Sequence, residues 1–200
     1  MKKILLLLTL MTVSAFAKDM DLRSINIFQA QGIHSSLKYI IPETLGGDID
    51  FQDTYVVGLT YTNYSHEHLA NNGDSSVQFG WETGLVKHYG LQDITEFNLF
   101  YFIKFARMLP AKSWMNMDFT WGEGISYTFG DAVFDDDAFD EPGVKYDFLN
   151  YFLLDLDFYL RDKRDVHFFL RVHHRCGIYG LLAPVNVGSS FLGYGFRYFF

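Results

Sequence analysis

The strongest constraint on this chain is a two-residue period. From Val77 to Leu85, the residues Val77, Phe79, Trp81 and Leu85 fall on one side, and Gln78, Gly80, Glu82 and Gly84 on the other. Such a period describes a strand with one apolar face and one small or polar face. Comparable segments recur near 54–64, 95–106, 115–129, 148–161, 166–176 and 190–200, with a less regular one within 24–39. That makes about eight strands, several near the ~9–11 residues that cross a bilayer when tilted. Beyond residue 17 no run of 18 apolar residues occurs, so a helical span is excluded.

A soluble sandwich and a barrel with its apolar face in lipid both use strands of this kind. The apolar faces decide for the barrel. They carry Phe97, Leu99, Tyr101, Ile103 and Phe105, then Phe119, Trp121, Ile125 and Tyr127, and later Leu154, Leu156, Phe158, Leu160, Phe168, Leu170 and Val172. The chain holds 21 Phe, 13 Tyr and 3 Trp, more rings than a soluble interior of 200 residues readily takes in. Rings toward strand ends are what a membrane interface selects.

The first residues agree. Lys2 and Lys3, the apolar stretch Ile4 to Val13 and the small-x-small site Ala15-Phe16-Ala17 read as a secretory signal peptide, residues 1–17, with Lys18 the new N-terminus. Its removal takes away two lysines, so a formal charge of −8 becomes 14 − 24 = −10. An acidic exported chain is no nucleic-acid binder that depends on phosphate contacts. The lone Cys176 excludes a disulfide scaffold. Residues 18–200 then form one unit: all-β, an eight-stranded antiparallel transmembrane barrel of the bacterial outer membrane. Its last strand alternates Leu192, Tyr194, Phe196 and Tyr198 with Gly193, Gly195 and Arg197, and ends on Phe200. That ending resembles the C-terminal signal by which the barrel assembly machinery takes up outer-membrane barrels.

Eight strands enclose an interior just wide enough for side chains. Glu82, Glu96, Asp118, Asp155 and Asp157 face inward against Lys104, Arg171, Arg175 and Arg197, and are expected to pair and plug the lumen. A diffusion pore is a poor fit to such a chain. An even-stranded barrel keeps both termini periplasmic, with short turns there and longer loops outside. Asp162-Lys163-Arg164-Asp165 becomes a periplasmic turn, the connections 41–52, 130–147 and 177–189 become extracellular, and a turn near 65–74 is longer than the rule prefers.

On the seventh strand, His174 and Cys176 share the lipid face of Phe168, Leu170 and Val172. A His two residues from a thiol can approach it and draw off its proton. Reactive polar groups on a lipid-exposed wall point to use on a lipid. The plainer reading is a strand that ends here in the headgroup zone. Elsewhere, the acidic run Asp131, Asp135, Asp136, Asp137, Asp140, Glu141 and Asp147 reads as a solvated loop, and His66-Glu67-His68 as a surface turn. No cofactor and no resident metal is expected.

Gly122-Glu123-Gly124-Ile125-Ser126-Tyr127, the strand Phe148–Leu160, Arg171-Val172-His173-His174-Arg175-Cys176 and the ending from Asn186 to Phe200 resemble the outer-membrane lipid A 3-O-deacylases, which are often grouped with acyloxyacyl hydrolases. The resemblance covers under half the chain. It implies an eight-stranded barrel that hydrolyses an acyl ester of lipid A in the outer leaflet, with lipopolysaccharide and the surrounding lipids as partners. It implies His174 as general base, with Cys176 in the place of the family's nucleophilic Ser. The departures are equally specific: Gly177 stands where the family has Asn, and no Asp or Glu follows Asp165 to orient the His. Glu123 is a candidate substitute acid, backbone N–H groups near Gly177 a candidate oxyanion support, and Arg175 either part of the lumen network or a lipid-phosphate contact. The alternative is a non-catalytic barrel with a structural or loop-mediated binding role.

Overall fold

In the structure, a computed structural model, residues 23–35, 37–69, 76–107, 112, 114–130, 146–178, 180–184 and 187–200 are described. The expected signal peptide and nearly all of the acidic run lie outside them. Alternation does what the sequence expects of it. Eight strands, β1 (Arg23–Ile33), β2 (Phe51–Leu69), β3 (Ser76–Gly90), β4 (Thr95–Ala106), β5 (Met115–Phe129), β6 (Phe148–Leu160), β7 (Lys163–Cys176) and β8 (Gly188–Phe199), follow one another antiparallel. β8 pairs back onto β1, Ser24 opposite Phe199, and closes the barrel.

Arg23 and Phe200 meet at one end, joined by a bond from the Phe200 N–H to the Arg23 carbonyl. The connections after β2, β4 and β6 lie at this same, periplasmic-type end. Two connections differ from expectation. β2 and β3 stay paired as far as Leu69 and Ser76, so the first residues of the overlong turn expected at 65–74, His66-Glu67-His68 among them, belong to a strand, and its remainder lies outside the described residues. Lys163 already pairs with Leu160, so the β6–β7 turn is Arg161-Asp162 rather than the four residues 162–165.

The outer wall is apolar. Ile25, Ile27, Leu59, Leu85, Tyr101, Ile125, Leu170, Tyr194 and Phe196 are all exposed on outward positions, in the pattern that hydrocarbon requires. Aromatic pairs mark both ends, Tyr55 stacked on Tyr89 at one and Phe105 on Phe119 at the other.

The charges are inside and paired. Arg171 grips Asp155 with two bonds of 2.8 and 2.7 Å, while Arg197 bonds both oxygens of Asp157 at 2.9 and 3.0 Å and reaches Asp155 at 2.9 Å. Lys104 lies 3.1 Å from Asp118, and Arg171 lies 3.0 Å from Glu82. Paired in this way, the ions avoid the several kcal/mol that each would otherwise cost when buried. The lumen also takes in rings: Phe28, Phe100, Phe102, Phe169 and Phe191 point inward and are buried. Small inward residues make the room, since a Cβ at Gly58 would lie 2.1 Å from the Phe28 ring. The guanidinium of Arg171 lies over both Phe28 and Phe169, at 4.7 and 4.8 Å, so rings and ions form one packed plug. Around Tyr64, Glu82, Phe100 and Arg197 the residual space admits no water-sized sphere.

One element was not expected. The first long connection contains a helix, α1 (Leu37–Gly46), ended by Gly47 in the left-handed region at φ 79°, where the Gly47 and Asp48 N–H groups both bond the Glu43 carbonyl. It lies on the outside of the barrel. Ile40 packs with Ile33 and Val172, flanked by Ile49, Leu154 and Leu192, and covers outward positions that would otherwise face lipid.

Candidate functional site

The outer wall below α1 carries the polar residues that the alternation forces out of the lumen. β7 presents His174 and Cys176 outward, each half-buried. Two residues along a strand is roughly 7 Å of backbone, so the two side chains must lean together to meet. Laterally, His174 lies between Phe152 of β6 and Ser190 of β8, and Cys176 between Asn150 and Gly188. The Phe152 ring stands edge-on to the imidazole at 6.3 Å.

His174 Nδ1 is 2.9 Å from Ser190 Oγ, and that hydroxyl donates to the Ser35 carbonyl at 3.2 Å. A hydroxyl has one hydrogen, so its oxygen accepts from the imidazole. With the hydroxyl proton given to Ser35, a neutral His174 would carry its own proton on Nδ1 and leave the Nε2 lone pair as a base. Ser190 is 3% exposed, and Ser35 belongs to the connection that leads into α1. Across the row, the Asn150 amide donates to Glu123 Oε1 at 3.2 Å and lies 3.9 Å from Cys176 Sγ. Glu123 itself is exposed on the outer face of β5. The structure thus brings His174, Cys176 and Glu123 to one patch of wall, with Ser190 on the imidazole and Asn150 between the acid and the thiol. Among the described residues, the group bonded to Nδ1 is a hydroxyl, not a carboxylate.

Two candidate residues are engaged elsewhere. The Gly177 N–H donates to the Val187 carbonyl at 3.1 Å, and a Cβ at this position would meet the Ala183 carbonyl oxygen at 2.3 Å. Arg175 turns into the lumen, fully buried, with Nε on Ser126 Oγ at 2.9 Å and 3.6 Å from Glu96. It belongs to the lumen network, and the lipid-phosphate contact falls away because an inward residue of β7 cannot reach a headgroup. Sequence reasoning missed Ser190 and Asn150. Their signal was present: both are polar residues at positions whose alternation points to lipid, as with Glu123 and His174.

A closed eight-stranded barrel with an apolar exterior, an ion-filled lumen and its termini together at the short-turn end defines the class of outer-membrane β-barrels. The chain is similar to the outer membrane enzyme PagL, with a TM-score of 0.60 and 9% identity over 88% of this chain and 98% of that one. It also matches Neisserial surface protein A, NspA (TM-score 0.49, 12% identity, 89% and 97% covered), and LpxR from Salmonella typhimurium (0.42, 8%, 92% and 70%). No family model and no curated sequence matches the chain. At 9% identity the likeness to PagL establishes the fold, and that fold is the one the resemblance to the lipid A deacylases implies.

Proposed function

We propose that this barrel resides in the bacterial outer membrane and hydrolyses an acyl ester of lipid A from the outer leaflet, using His174 and Cys176 on its lipid-facing wall. The observation that supports the reading is the hydrogen-bond chain His174–Ser190–Ser35 at the loop end of the barrel, which holds the imidazole on a surface where an idle polar group is expensive and would leave Nε2 of a neutral ring as base. Ser190 takes the orienting role that the missing carboxylate would have filled. His174 Nε2 takes the thiol proton, and the Cys176 thiolate attacks the ester carbonyl carbon. The tetrahedral intermediate expels the sugar alkoxide, which recovers the proton from His174, and water then hydrolyses the thioester. The Asn150 amide, beside Sγ, is a donor for the oxyanion, while a Gly177 N–H contribution requires release of its bond to Val187. β8, followed by Phe200, is the strand offered to the barrel assembly machinery.

The test is fatty-acid release from lipid A by the purified barrel in mixed micelles. Release is expected from the native protein, lost in His174→Ala and Cys176→Ala, and reduced roughly 10–100-fold in Ser190→Ala. One observation favours the second reading, a non-catalytic barrel: Glu123 bonds Asn150 rather than the imidazole. On that reading no fatty acid is released and Cys176 alkylates no faster than an ordinary lipid-facing thiol.

A further inference from the structure

On the inner side of the same wall, three side chains from three strands converge near the loop end of the lumen. Glu96 of β4 points Oε2 at two imidazoles, 2.7 Å from His88 Nε2 on β3 and 3.0 Å from His173 Nε2 on β7. All three are fully buried, and one ligand atom from each lies within 4.8 Å of the others. We propose that His88, Glu96 and His173 form a binding site for a divalent transition-metal ion of the zinc class. This inference does not rest on the proposed lipid chemistry.

The surroundings have the form of a metal site's outer shell. His173 Nδ1 lies 3.1 Å from the Tyr151 hydroxyl, and His88 Nδ1 lies 2.8 Å from the Gln92 amide, so each ring is held from behind by a group that can accept as well as donate. Glu96 Oε1 is held by the Ser126 hydroxyl at 2.7 Å and by Arg175, which leaves Oε2 as the ligand atom. In the empty site both Nε2–H groups donate to Glu96. When a metal enters, each ring moves its proton to Nδ1, where Tyr151 Oη and a rotated Gln92 amide accept it, so two neutral ligands form with no net proton lost. Ligands around tetrahedral zinc, at about 2.0–2.2 Å from the ion, stand roughly 3.3 Å apart, so Glu96 withdraws by a few tenths of an ångström while the two imidazole nitrogens, within 4.8 Å of each other, draw together around the ion. A water or hydroxide fills the fourth position, and hydroxide offsets part of the added charge beside Arg175. Two imidazoles and one carboxylate favour zinc, nickel, copper or iron over calcium and magnesium. Gln92, in the short connection 91–94, covers the site at the loop end. A bound ion would clamp β7 to β3 and β4 across the lumen, directly behind His174.

The experiment is zinc retention by the full barrel in detergent, stripped with chelator, equilibrated with zinc chloride, desalted and measured by plasma mass spectrometry. The native protein is expected to keep about one zinc per chain, and His88→Gln, His173→Gln and the isosteric Glu96→Gln to keep less than about a tenth of that. His34→Ala, at an exposed histidine, is expected to keep it all. Cobalt in place of zinc should give visible d–d bands with the native protein, and this readout stands even where a variant fails to form the heat-resistant barrel. No retained zinc and no cobalt bands in the native protein, or full retention in folded variants of the triad, overturns the site.

Discussion

Single residues carry unusual weight here because the lumen tolerates neither an unpaired ion nor a void. Asp157 accepts two bonds from Arg197, lies 3.5 Å from Lys104 and also 3.5 Å from His167. Asp157→Ala should destabilise the barrel by about 3–5 kcal/mol, the usual result of stranding a buried partner. Urea unfolding in detergent measures it, and a change below about 1 kcal/mol would show that the network is redundant. The inward charges were legible in the sequence because alternation fixes the side on which each residue falls. The outward polar residues were legible by the same rule, yet only Glu123, His174 and Cys176 were singled out. Ser190 and Asn150 escaped because the register that joins them to β7 is a property of pairing between strands. The triad of His88, Glu96 and His173 was invisible because β7 meets β3 and β4 only across the lumen of the closed barrel.

At the scale of elements, β4 and β5 occupy the stretches that the two-residue period marks, 95–106 and 115–129. The period fades where β2 passes into its hairpin, so the paired run to Leu69 could not be read. α1 could not be read either. It is short, holds Pro42 within it, and owes its place to packing on the barrel rather than to an amphipathic pattern of its own. Ile40, buried to 2%, is its anchor. Ile40→Ala is expected to weaken docking by about 2–5 kcal/mol and to speed proteolysis within 34–50 by tenfold or more. Because Ser35 accepts the bond from Ser190, the same variant should raise the solvent exposure of His174, read as faster carbethoxylation. Unchanged rates would mean that the helix does not hold the site.

For the whole molecule, the balance between a greasy exterior and a plugged interior decides what the barrel can do. An interior filled by ion pairs and rings predicts no unitary conductance in planar bilayers, and stable discrete openings would contradict it. What remains is the outer surface at the height of the outer leaflet. The candidate patch there is legible in one strand, through His174 and Cys176, but the residues around it come from β5, β6 and β8 and meet only on closure. On the proposed mechanism, Cys176 receives an acyl chain from lipid A. Intact-protein mass spectrometry after incubation with lipid A, quenched in acid, tests it most directly. A mass gain of one acyl chain is expected, mapped to Cys176 and absent in Cys176→Ala and in His174→Ala. An unmodified protein beside unchanged lipid A would contradict it.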